Sequence, residues 1–182
     1  MTDEVKSEVR KDIASWAKTI VFAVLVAAVF NNVVIVNATV PTGSMMDNIK
    51  PKDRIVAFRL SYLFKAPQRF DIVVFRFPDN RQVLYVKRII GLPGETVTIR
   101  GGKIYINDSS EPLNDDFVKE TPRDEDLGPY EVPEGCYFMM GDNRNSSADA
   151  RVWQNTYVVK SDILGKVLFK YFPGVPKVLY NT

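Results

Sequence analysis

The chain has 182 residues, 46% of them apolar, and a net charge of +2, which suits one folded domain with an appendage. Its basic residues are interspersed with acids rather than clustered, so nothing suggests a nucleic-acid partner. It has no histidine and one cysteine, Cys136; the first excludes a Ser-His-Asp triad and most zinc sites, the second an intramolecular disulfide. Nothing in the composition calls for a metal or another cofactor, and Cys136 reads as a buried strand residue rather than a reactive thiol.

Residues 1–18 are charged and read as helical. Apolar residues dominate from Ile20 to Phe30, pause at Asn31-Asn32 and resume over Val33–Val36. A helix over residues 19–36 would be roughly 27 Å long, close to the thickness of a bilayer core. Trp16 and Lys18 would sit at the inner interface. A cleaved secretion signal is the alternative, with Ala38 as the small residue at a cut. The acids Asp3, Glu4, Glu8 and Asp12 and the long leader favour a retained anchor instead. Lys6, Arg10, Lys11 and Lys18 precede the segment, while Lys50, Lys52 and Arg54 follow it. This slight excess points to an N-terminus on the cytoplasmic side.

Directly after this segment comes Val40-Pro41-Thr42-Gly43-Ser44-Met45. A serine set among Gly and Pro sits on a stiff, exposed turn that can present its hydroxyl. Such a nucleophile needs a base. Without imidazole, the common remaining base is a lysine whose pKa burial has lowered.

Beyond Pro41 the pattern is strands and turns. Arg54–Leu60, Asp71–Phe77 and Gln82–Ile90 are rich in Val, Ile, Phe and Tyr. Thr96–Arg100 and Lys103–Asn107 flank Gly101-Gly102, which predicts a two-residue hairpin. Cys136–Met140 and Val167–Phe172 read as later strands. The acidic, Pro-containing stretch 108–134 reads as a long exposed loop with short strands at most. The class is all-β, a barrel or packed antiparallel sheets, tethered by one N-terminal helix. Leu60-Ser61-Tyr62-Leu63-Phe64, between Arg59 and Lys65, is either a strand end packed in the core or a loop that dips into a membrane.

Lys87, in Tyr85-Val86-Lys87-Arg88-Ile89-Ile90, is the best candidate base. On a strand it shares a face with Val83, Tyr85 and Ile89. Burial there would lower its pKa; at a sheet edge its ammonium would stay in water, and the strand alone leaves both open. A third cluster, Gly141-Asp142-Asn143-Arg144 through Asp149 and Arg151, alternates acids with arginines among turn formers. It reads as a turn stapled by ion pairs. The arginines argue against a calcium loop.

Together the three segments resemble the type I signal peptidases, the peptidase S26 family of membrane-bound serine proteases, in its bacterial Ser-Lys branch. The resemblance runs from the anchor to about Arg151. It includes Phe70-Asp71-Ile72-Val73-Val74-Phe75 and continues past Ile90 through Gly91-Leu92-Pro93-Gly94-Glu95. It implies an all-β fold of the signal-peptidase type. It also implies that Ser44 is the nucleophile and Lys87 the general base, with the Ser44 N–H and the Thr42 hydroxyl as the oxyanion hole. Ser147 would orient the lysine amine. Asp142, Arg144, Asp149 and Arg151 would brace the adjoining loop. Val40, Ile49, Tyr85 and Val86 would shape shallow apolar pockets for small side chains.

The implied activity is removal of signal peptides from exported preproteins, with cleavage after small residues of Ala-X-Ala type. The implied setting is a monomer with residues 1–18 cytoplasmic, 19–36 transmembrane and 38–182 extracytoplasmic, with lipid and signal peptides as partners. One departure stands out. Asp47-Asn48 occupies the place of the family's Pro-Thr, putting an acid where it would oppose deprotonation of the lysine. The competing readings are a self-cleaving repressor-type Ser-Lys protease and a non-catalytic homologue acting in assembly of surface proteins such as pili.

Overall fold

The computed structural model describes residues 3–174 and 176–179, and side chains for residue 8 and from residue 10 onward within those spans. The outer ends of the segments 1–18 and 38–182, and the side chain of Lys6, lie outside the described residues. Helix α1 (Asp3–Val29) runs on as a wider π turn, Phe30–Val34. The span Arg10–Val34, 25 residues, is long and apolar enough to cross a membrane, and its most apolar stretch is nowhere buried against the protein. At about 1.5 Å per residue it exceeds the ~30 Å hydrocarbon core.

Asn31 and Asn32 do not stop this helix. The Asn32 side-chain amide donates to the Ala28 carbonyl at 2.8 Å. The sequence reading placed Ile35 and Val36 at the end of the helix. They instead open strand β1 (Ile35–Thr39), which pairs along its whole length with β2 (Arg54–Phe58). The β-branched run Val33–Val36 suits either structure by composition, and pairing with β2 settles it.

Strands β3 (Ile72–Phe77), β4 (Asn80–Gly91), β5 (Thr96–Arg100) and β6 (Lys103–Ile106) follow. Next come β7 (Leu127–Glu131), β8 (Cys136–Met140), β9 (Tyr157–Val159), β10 (Ile163–Phe172) and β11 (Lys177–Val178). The larger sheet has the order β1-β2-β10-β3-β4-β8-β9, with β11 added to β10; every pairing in it is antiparallel. The second sheet is β6-β5-β7. Of the two architectures expected, packed sheets are found. The larger sheet does not close into a barrel, since β1 and β9 do not pair among the described residues. Gly101 and Gly102 both take positive φ, 55° and 73°, as the β5–β6 hairpin requires.

The segment 108–134 is not simply an exposed loop. It supplies β7 to the second sheet, and its Phe117 is 8% exposed within the core. Three of the acids that marked it as a loop hold the 141–151 segment. Asp115 meets Arg144 at 2.6 Å, Glu125 meets Arg151 at 3.0 Å, and Glu120 accepts from Asn145. Cys136, in β8, is half-buried, and burial pushes its thiol pKa up.

Candidate active site

Strand β8 covers β4 only from Arg88 onward, so Lys87 stands at the end of a locally open edge, yet its side chain is buried rather than in water. It stands opposite Val73 and only 3% of it is exposed. Its Nζ lies 5.6 Å from the centre of the Tyr85 ring, two residues back on the same face. Burial pushes its pKa down to about 8; the charges of Asp149 and Asp142 oppose the fall, and Arg151 assists it. Asp47, the acid singled out in the sequence, is not among the opposing charges. It is exposed and turned outward at φ 76°, a conformation that proline, fixed near −65°, cannot adopt.

Ser44 is 8% exposed, on a tight turn closed by Met46 N–H to Gly43 O and Ile49 N–H to Met45 O. The turn is therefore a walled one, not the open one that the flanking Gly and Pro suggest. Thr42 Oγ1 lies 3.5 Å from Ser44 Oγ. Ser44 and Lys87 line one cleft of about 630 Å³. Residues Asn37–Thr39, Val40 and Thr42 form one wall and Val83–Val86 the other, with Asn143, Ser146 and Ala148 at one side. No hydrogen bond joins Ser44 and Lys87 among the described residues; such bonds often tighten only with substrate present.

Loop 141–151 presses on the Ser44 turn. The Asn143 N–H donates to Ser44 O at 3.0 Å, and its side-chain amide donates to Gly43 O at 2.9 Å. Gly141 makes this approach possible: a Cβ there would stand 2.4 Å from Ser44 O and 2.2 Å from Ser147 Oγ. Asp149 accepts from Gly141 N–H and pairs with Arg151, and Arg151 also donates to Arg144 O. Ser147 Oγ is buried without a hydrogen-bond partner, beside the cleft.

Asp142 is not paired with Arg144 or Arg151. Both of its oxygens take hydrogen bonds from Arg88, at 2.8 and 2.7 Å. Arg88, 1% exposed, also donates to Phe70 O and lies 3.9 Å over the Phe117 ring. Asn48 donates to Asp142 Oδ2 at 2.8 Å and to Phe117 O at 3.2 Å, tying the serine turn to this buried pair.

Of the residues expected to shape pockets, Val40, Tyr85 and Val86 line the cleft. Ile49 does not. It is fully buried in the core cluster with Val40 and Met45, because the turn after Ser44 folds its side chain inward. The sequence offered no role for Arg88, Phe117, Asn143 or Gly141, and it took Asn48 only as a departure. Each acts through a contact distant in the chain, which spacing does not reveal.

Residues 13–172 match the family model described as signal peptidase, peptidase S26. The chain belongs to this family. It is 34% identical over 163 residues to a signal peptidase I of Leptolyngbya laminosa, covering 86% of this chain and 78% of that one. It is 36% identical over 173 residues to signal peptidase I S of Bacillus subtilis, covering 90% and 91%. A crystal structure of a signal peptidase I from Enterococcus faecalis is 36% identical and covers 56% of this chain and 97% of that one, with a TM-score of 0.47. The chain is thus a peptidase of the signal-peptide-processing kind. Its exposed N-terminal apolar helix is consistent with membrane anchoring.

The depressed lysine has a consequence for stability. Lys87 binds its proton less tightly folded, at about 8, than at its usual 10.5. Between those pH values the unfolded chain holds more protons, so stability rises with pH; below pH 8 the folded state bears the whole cost, about 3 kcal/mol. Lys87→Met should therefore be more stable than the parent at pH 7. Urea unfolding in detergent should show that advantage shrinking as pH rises from about 8 to 10.5. A stability difference independent of pH would show that the lysine is not held neutral.

Proposed function

We propose that this chain is a membrane-bound serine endopeptidase that cuts signal peptides from exported preproteins with a Ser44–Lys87 dyad. The observation that carries this reading is a nearly buried lysine, pushed down to about 8, lining the same cleft as a serine on a tight turn. A neutral Lys87 amine accepts the Ser44 Oγ proton as Oγ attacks the scissile carbonyl carbon. The Ser44 N–H and the Thr42 hydroxyl hold the oxyanion. The ammonium then protonates the leaving amine, and water, deprotonated by the same lysine, hydrolyses the acyl-enzyme.

The shape of the cleft supports an extended peptide substrate. Strand β8 pairs with β4 only from Arg88 to Gly91, which leaves the edge of residues 83–87 on that side without a strand. A peptide laid there can pair with backbone, and its alternate side chains then enter the cleft. Val40, Tyr85 and Val86, with Ala38 and Val74 beside them, leave shallow apolar room that suits small residues one and three positions before the cut. Ser147, whose buried Oγ is unpartnered, orients the Lys87 amine, and the braces Asp142, Arg144, Asp149 and Arg151 position the loop rather than react.

The substrate's signal peptide spans the same bilayer as α1. Residues 1–18 are therefore assigned to the cytoplasmic side and the sheet domain to the outer side. Protease added to intact protoplasts should degrade the sheet domain and spare an N-terminal tag. Degradation of the tag alone would reverse the topology.

The chemistry is tested by cleavage of a preprotein with an Ala-X-Ala cut site, in detergent. Ser44→Ala and Lys87→Arg should each be inactive while still folded, because a guanidinium does not deprotonate. Thr42→Ser should keep most activity, and Thr42→Val should lose about 10²–10³-fold, the usual cost of one oxyanion donor. Turnover by Ser44→Ala or Lys87→Arg at near the parent rate would remove the dyad.

A further inference from the structure

Trp153 does not line the cleft, yet it holds one of the cleft's walls. It is 8% exposed and packs on three aromatic rings of β3 and β4. Its ring centre stands 5.3 Å from that of Phe77, 5.9 Å from Tyr85 and 6.0 Å from Phe75. Phe77 stacks on Tyr85 at 4.4 Å, with 8° between the rings, and Trp153 stands at 64° to Tyr85. Both are favoured aromatic arrangements, and together they confine the Tyr85 ring.

Tyr85 alone of these four aromatic residues lines the cleft. Lys87 Nζ is 5.6 Å from its ring centre, so the ring borders the reacting pair. In the peptidase reading of the cleft, it bounds the pocket for the side chain immediately before the cut.

Trp153 is itself fixed by its loop rather than by its indole N–H, which is buried with no hydrogen-bond partner among the described residues. Its backbone N–H donates to Asp149 O at 3.2 Å. The next two residues are caught by Asp79, at the turn between β3 and β4. Asp79 Oδ2 accepts from Gln154 N–H at 3.0 Å, and Oδ1 accepts from the Asn155 N–H at 2.7 Å and its side-chain amide at 2.8 Å. The Asp149 carboxylate, at the other end, takes the Gly141 N–H. One loop thus runs from the brace beside Ser44 to the hairpin that carries Tyr85, and it presses an indole onto the ring in between.

Protein interiors are packed as densely as organic crystals, so a ring with filled surroundings is a rigid stop. Removing bulk behind it leaves space that neighbouring side chains partly fill. A shorter residue at 153 would give the Tyr85 ring room to retreat from the cleft. We propose that Trp153 is a positioning residue for substrate selection: acting through Tyr85, it sets the largest side chain accepted immediately before the cut. The proposal rests on the peptidase reading of the cleft.

The test is cleavage, by the full chain in detergent, of preproteins that carry Ala, Val or Leu immediately before the cut. The parent should favour Ala over Val in kcat/KM by at least about tenfold, the scale on which an apolar pocket discriminates small differences in size. Trp153→Leu should raise the Val:Ala ratio by about tenfold, through faster cleavage of the Val substrate. Trp153→Phe removes less bulk and should raise it by about threefold; if Trp153→Leu does not fold, this variant decides alone. Tyr85→Ala opens the pocket directly, so adding Trp153→Leu to it should leave the ratio where Tyr85→Ala puts it. Equal loss on all three substrates, with the parent's ratio kept, would assign Trp153 to stability alone and overturn the proposal. A further rise in the double variant would mean that Trp153 acts without Tyr85, and overturns it as well. In both cases the parent's preference for Ala still stands, and with it the peptidase reading. A parent that cleaves no preprotein, or cleaves Ala and Val substrates alike, removes that reading and takes the proposal with it.

Discussion

Two cations sit side by side on β4, and both are buried: Lys87 at 3% exposure and Arg88 at 1%. Successive strand residues point to opposite faces, so they meet different surroundings. A buried guanidinium cannot shed its proton and must be compensated. Asp142 does so with two hydrogen bonds, and Phe70 O and the Phe117 ring complete the shell. Removing one partner of such a pair typically costs about 3–5 kcal/mol. Lys87 has no such bidentate partner, and burial moves its pKa instead. The same desolvation thus builds a fixed ion pair on one side and a titratable amine on the other.

The need to compensate Arg88 fixes more than one loop. Asp142 begins the 142–151 segment, and once it is held, Gly141 and Asn143 are pressed against the Ser44 turn. Asn48 closes the circuit from the far side of that turn. The acidic segment then clamps the outside of the loop through Asp115, Glu120 and Glu125. The position of Ser44 therefore follows from a charge that does not line the cleft. Asn48 is part of this brace, and Asp47 beside it faces water.

The sequence made much of this legible, for physical reasons. Apolar alternation and the Gly101-Gly102 turn located β2, β3, β4, β5, β6 and β8, because local propensity and burial agree there. The helix was visible as an apolar run, but its end was not, because Val and Ile fit either a membrane helix or a strand, and only pairing with β2 decides. β7 and the core role of Phe117 were hidden in a segment whose acids imitate a solvated loop. Asp115 and Glu125 are paired with arginines 29 and 26 residues further on, and composition cannot show that. Ser44, Lys87 and Thr42 line one cleft. Ile49 was misplaced, because a single tight turn decides whether it faces the cleft or the core. Arg88 went unassigned, although its place next to Lys87 on a buried strand already required an acid somewhere in the fold.

The protonation of Lys87 is the point on which the whole account turns, and it can be read without substrate. Carbon-13 at the lysine Cε reports the state of each amine by NMR, and Lys87→Met identifies the resonance. The account predicts that this one lysine titrates near pH 8, well below the 10.5 usual for a lysine. A Lys87 resonance that moves together with the others would mean that burial does not discharge it, and the chain would have no base for Ser44.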